Sequence, residues 1–223
     1  MRFRTTALIC TLALAATSCG GSGDSSTGPG PATGPSESYR GTLVGSNSRG
    51  VLVIVFATQG ATAITGTLTL TGAAVVNLNG TYTASSKHVS LTGGGYTVTG
   101  DYTESSTHFS GDYTGPNNDH GSWAVESGTV KVFCGSYTGS AAGTWNLVLN
   151  DAGQLRGVAQ TSSGAIDLVG TYNSSSGAIT VTSPDDPTIG ATGTLNATTG
   201  GGSGHWTVSG QTAGDWTANT NGC

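Results

Sequence analysis

Ile64, Gly66, Leu68 and Leu70 are separated by Thr65, Thr67, Thr69 and Thr71. This two-residue period places apolar groups on one face of an extended segment and hydroxyls on the other, a pattern that a helix cannot use because its side chains return to one face about every 3.6 residues. The same alternation recurs in 75–83, 88–92, 96–103, 145–150 and 178–182, each bounded by Gly, Ser, Asn or Pro, and no window sustains a helical period. The chain is therefore predicted to be all-β, built from short half-buried strands and tight turns.

Through those strands a glycine is repeatedly followed, two residues later, by a ring. Examples are Gly100 with Tyr102, Gly111 with Tyr113, Gly121 with Trp123, Gly143 with Trp145, Gly204 with Trp206 and Gly214 with Trp216. Residues i and i+2 share a face, so each ring lies beside a gap that a neighbouring strand's ring can cover. Small, tightly curved barrels fill their interiors in this way. An internal duplication underlies the pattern: residues 76–92 align without gaps on 166–182, and 98–124 on 191–217. Two units follow, 39–127 and 134–223, each expected to be an antiparallel up-and-down meander of about eight strands.

Composition removes several function classes. Charged residues are 9% of the chain and the formal net charge is −5, too little for a disordered polyelectrolyte. Seven Lys and Arg form no basic stripe that could neutralise phosphates, which excludes nucleic acid as a partner. The strands are shorter than the roughly 9–11 residues of outer-membrane barrels and carry threonine on many outward faces, so the barrels are not expected to span a bilayer.

The N-terminus has the form of an export signal. Arg2 and Arg4 precede an apolar stretch from Ala7 to Ala16, about half the length of a membrane span. Ala16-Thr17-Ser18-Cys19 resembles the lipobox of bacterial lipoproteins, with Ala16 where leucine is commonest. The resemblance implies removal of 1–18, lipidation of Cys19, and, with Gly20 following, anchorage to the outer membrane. Residues 19–38 then form a Gly/Ser/Pro tether with no large apolar side chain, spanning about 24 Å on average as a flexible coil. Cys10 leaves with the signal, so Cys134 and Cys223 remain as the pair available in an oxidising compartment, and they are expected to form a disulfide. Such a bond needs its Cα atoms within about 7 Å. It therefore sets the first and last strands of the second unit side by side, and favours two small barrels, or two closed sandwiches, in tandem over one barrel of sixteen strands.

The GSYTG segment and Gly143-Thr144-Trp145 resemble the opening strand of the calycins, the lipocalin and avidin-like barrels. The resemblance implies an eight-stranded meander with a mouth for a small ligand; no ligand residues carry over, because neither family's later motifs can be traced. The rings expected to line such a mouth are Tyr102, Tyr113, Trp123, Trp206 and Trp216.

Catalytic chemistry is thin. The chain lacks HExxH, paired-cysteine, Walker, Gly-x-Ser-x-Gly and EF-hand patterns. His108, Asp112 and His120 fall on what should be adjacent strands, yet lone His and Asp near turns are the ordinary case. No metal, cofactor or catalytic residue is expected, and the protein is read as a non-enzyme. Residues 51–56 are apolar on both faces, whereas the matching stretch 145–150 alternates. Either the other unit covers Val51, Val53 and Val55, or these form an outward patch that docks a partner. Two function classes follow: a lipid-anchored envelope module binding a small apolar or glycan ligand, or a structural, adhesive envelope protein with filled barrels that contacts other proteins.

Overall fold

The computed structural model describes residue 35, residues 38–104 and 107–219, and Cys223. The signal 1–18, Cys19 and nearly all of the 19–38 tether lie outside the described residues. Within them the strands run in chain order: β1 (Ser38–Gly45), β2 (Arg49–Phe56), β3 (Ala63–Leu70), β4 (Val75–Thr83), β5 (His88–Gly93), β6 (Tyr96–Thr103), β7 (His108–Thr114) and β8 (His120–Ser127), then β9 (Lys131–Gly139), β10 (Gly143–Leu149), β11 (Gln154–Thr161), β12 (Gly164–Tyr172), β13 (Ala178–Thr182), β14 (Ile189–Leu195), β15 (Gly202–Val208) and β16 (Gln211–Ala218).

Each strand pairs antiparallel with its chain neighbours, and the sheet then closes on itself. β1 to β8 form one closed barrel and β9 to β16 a second. The closing registers are Leu43 opposite Trp123 in the first and Trp216 opposite Tyr137 in the second. Turns match the strand twist where the chain allows it: Gly94 and Gly95, between β5 and β6, both have positive φ, 58° and 83°, as a two-residue mirror-image turn requires. The disulfide joins Cys134 in β9 to Cys223 with Cα atoms 5.3 Å apart, consistent with β9 and β16 lying side by side.

The bare glycines are where rings cross. A Cβ on Gly100 would sit 2.6 Å from Cζ2 of Trp123, one on Gly135 2.6 Å from Cζ2 of Trp145, and one on Gly204 2.7 Å from Cε2 of Trp216. Each indole N–H then reaches a strand carbonyl. Trp123 Nε1 donates to Thr99 O at 3.0 Å, and its repeat counterpart Trp216 donates to Thr192 O at 3.1 Å. The duplication is thus preserved in hydrogen bonding as well as in sequence.

The two interiors differ. In the first barrel 17 buried apolar residues pack together, among them Tyr39, Phe56, Phe109, Tyr113 and Trp123, whereas the second has nine. One end of the first barrel is filled by edge-on rings, with Tyr39 and Phe109 centroids 4.8 Å apart. The other end is plugged by the buried Asp119, which accepts from Asn47 N at 2.8 Å and from the Tyr113 hydroxyl at 3.2 Å.

The barrels meet along faces that alternation marks as outward. Tyr39 and Leu43 point into the first core, so Thr42 and Val44 point out, yet both are fully buried, and Ala124 and Glu126 on β8 are buried too. Opposite them stand Asn146 and Val148 on β10 and Val158 on β11, also buried. Asn146 Nδ2 donates to Thr42 Oγ1 at 2.5 Å. Arg156 Nε lies 2.8 Å from Glu126 Oε1.

One of the two readings of residues 51–56, cover by the other unit, is corrected here. β2 is not covered by the other barrel: Val55 is 39% exposed and Val51 and Val53 are half-buried, set among the threonines of β3. Like the second half of β1, β10, whose sequence alternates, is instead buried on both faces. Its outward Asn146 looks like a solvent residue until the hydroxyl of Thr42 is placed against it.

Candidate ligand cavity

In each barrel one end gathers the equivalent loops. In the second barrel these are 139–143, 161–164, 182–189 and 208–211. A cavity of about 330 Å³ opens there and runs down between Tyr137, Trp145, Leu168, Val181, Trp206 and Trp216. The rings stand edge to face, Trp145 with Trp216 at 5.6 Å and 89° and Tyr137 with Trp206 at 5.6 Å and 74°. Their polar atoms are engaged by the sheet: Trp145 Nε1 with Ser136 O at 3.3 Å, Trp206 Nε1 with Thr138 O at 2.9 Å, and the Tyr137 hydroxyl with Gln160 O at 3.1 Å. Burial also holds the Tyr137 hydroxyl above the usual tyrosine range, keeping it neutral. The wall therefore offers a ligand carbon and ring faces rather than spare donors.

The repeat alignment explains why this barrel is hollow. At positions where the first copy carries Val98, Phe109 and Val125, the second carries Ala191, Gly202 and Ala218. The plug is gone too: the loop that holds Asp119 in the first copy becomes the tight turn at Ser209 and Gly210 in the second. Of these three positions only Ala191 lines the cavity; there the volume lost from valine leaves space, because strand hydrogen bonds fix the barrel radius, whereas at Gly202 the Leu195 side chain lies over the bare backbone. Loss at the Phe109 position also shapes a polar recess at the other end of the barrel. That recess is lined by Lys131, Asn150, Asp151, Tyr172, Asn196 and Gly202, among others.

Of the rings expected to line a mouth, Trp206 and Trp216 do line the cavity. Tyr113 and Trp123 are 2% and 1% exposed inside the filled first barrel. Tyr102 packs against Phe109 at 4.8 Å. Tyr137, Trp145, Leu168 and Ala191 belong to the wall and were not singled out as ligand residues; comparing side-chain volume between the copies would have found Ala191.

The grouping of His108, Asp112 and His120 does not converge. Register sets His108 opposite Glu126 and His120 opposite Thr114, at the two ends of the β7–β8 hairpin. Among the described residues no group of three or more His, Cys, Asp or Glu could hold a metal ion. His108 lies instead at the contact between barrels, where burial, with help from Arg156, lowers its pKa to about 4. Glu126 beside it is pushed above the usual carboxylate range by burial, an effect that Arg156 partly offsets.

No protein-family model matches the chain, and no curated protein matches it.

Proposed function

We propose that the protein is a non-catalytic envelope protein, anchored through a lipid on Cys19 to the outer membrane, whose second barrel binds a small apolar molecule. The observation that carries this reading is the cavity of about 330 Å³ walled by Trp145, Trp206, Trp216 and aliphatic side chains. That volume lies at the low end of ligand pockets, which run from about 300 to 1,000 Å³. The lining favours a hydrocarbon body over a glycan, whose many hydroxyls would be left without partners. Anchorage is supported by the signal-like 1–18 and the lipobox-like residues before Cys19. The structural class keeps the first barrel, whose packed interior suits a rigid spacer between tether and binding unit.

Native mass spectrometry of the oxidised protein, purified from a host that exports it, tests the reading. It predicts a small-molecule adduct that disappears on denaturation and is absent in Ala191→Phe, where a ring enters the cavity. A bare native mass that stays bare after incubation with apolar small molecules would contradict it. Anchorage is checked separately: a fatty-acid label should enter the wild type and not Cys19→Ser.

A further inference from the structure

Among the described residues no Asp, Glu, Lys, Arg or His lines the cavity. Residues 131–219 contain one lysine and one arginine, Lys131 and Arg156, and one histidine, His205, which is engaged by Asp215. Lys131 lies at the far end of the barrel, where its Nζ donates to Ala197 O at 2.7 Å. Arg156 is held 2.8 Å from Glu126, on the face turned to the first barrel. Neither is placed to neutralise a charge at the mouth.

The rim carries the opposite sign. Residues 183–188 connect Thr182 and Ile189, which both line the cavity, and this segment holds the exposed Asp185 and Asp186. Asp186 is fixed there by Thr188, whose N and Oγ1 donate to its Oδ1 at 3.0 and 2.7 Å. That bonding keeps it ionised below the usual carboxylate range. Across the mouth stand the neutral hydroxyls of Ser140, Thr161, Ser162 and Ser163.

Resting on the apolar-binding reading, we infer that the cavity selects uncharged amphiphiles: an aliphatic or ring body with a neutral hydrogen-bonding end, such as an alcohol or ester, directed to the hydroxyl side of the rim. Carboxylates are excluded. A dry apolar cavity of about 150 Å³ takes one benzene. About 330 Å³ accommodates roughly twice that, a body of about a dozen heavy atoms. Inside, a carboxylate would meet no cation, and the neutral hydroxyls at the rim do not offset the desolvation of a full charge. Asp185 and Asp186, on the loop that joins two rim residues, add only a solvent-screened negative field there.

The wild-type protein carries its own reporter, since Trp145, Trp206 and Trp216 line the cavity and the chain has four tryptophans. Tryptophan emission is titrated at pH 7 with 1-decanol, methyl decanoate and decanoate, each below its aggregation limit. Decanol and methyl decanoate should change the emission saturably with similar affinity, and decanoate should bind at least about ten-fold more weakly. Decanoate binding as well as decanol would overturn the charge selection while leaving apolar binding intact. Exclusion of the ester along with the carboxylate would overturn it too, by showing that something other than charge is rejected. Failure of all three to perturb the emission would overturn both this inference and the binding reading beneath it.

Discussion

Gly100 and Gly190 are both strand glycines facing different neighbourhoods. A methyl at Gly100 would press on the Trp123 ring at 2.6 Å within a filled core, so Gly100→Ala should lower stability by about 1–3 kcal/mol. At Gly190, beside the cavity, the nearest atom is Thr207 Oγ1 at 3.3 Å, the end of a side chain able to shift. Gly190→Ala should stay within about 0.5 kcal/mol, and urea unfolding of the two variants measures the contrast. His108 makes a pH prediction at the same scale. Its folded pKa of about 4, against an ordinary 6.5, means the unfolded chain takes up the proton first. Its contribution is therefore lost as pH falls from about 6.5 to about 4, by up to about 3 kcal/mol. Glu126 opposes this, because its raised pKa favours the folded form where the carboxyl is protonated. Melting temperatures taken across that range should fall less steeply in His108→Gln than in the wild type.

Among the strands, alternation told inside from outside but not what stands outside. β2 and β10 show the gap. The valines of β2 left a covered face and an outward patch both open, and Val55 proves exposed; Asn146 of β10 proves buried, because burial there is set by the shape of the other barrel rather than by hydropathy along the strand. The contact of β8 with β11 is testable on its own. Arg156→Met should cost about 3 kcal/mol by leaving Glu126 buried without its cation, and adding Glu126→Leu should recover most of the loss. Chemical denaturation of the single and double variants reads this directly; equal destabilisation in both would mean that the pair contributes through packing alone. Closure of each barrel and the Cys134–Cys223 pairing were legible, since the repeat alignment and cysteine positions bring first and last strands together.

At the scale of the molecule, duplication has produced one solid barrel and one hollow one from the same meander. Which copy is hollow was written in the pair Val98 and Ala191, the latter lining the cavity. Whether neighbours would relax into the freed volume depends on three-dimensional packing, which strand pattern does not encode. That is why rings of the first barrel were grouped with those of the second as ligand contacts, although Tyr113 and Trp123 are sealed in a packed core. The most direct measurement of this asymmetry is a crystal pressurised with xenon, an atom that enters dry apolar cavities. The account predicts xenon in the second barrel, among Trp145, Leu168, Val181 and Trp216, and none in the ring cluster around Tyr39 and Phe109. Xenon inside the first barrel, or in neither, would contradict it.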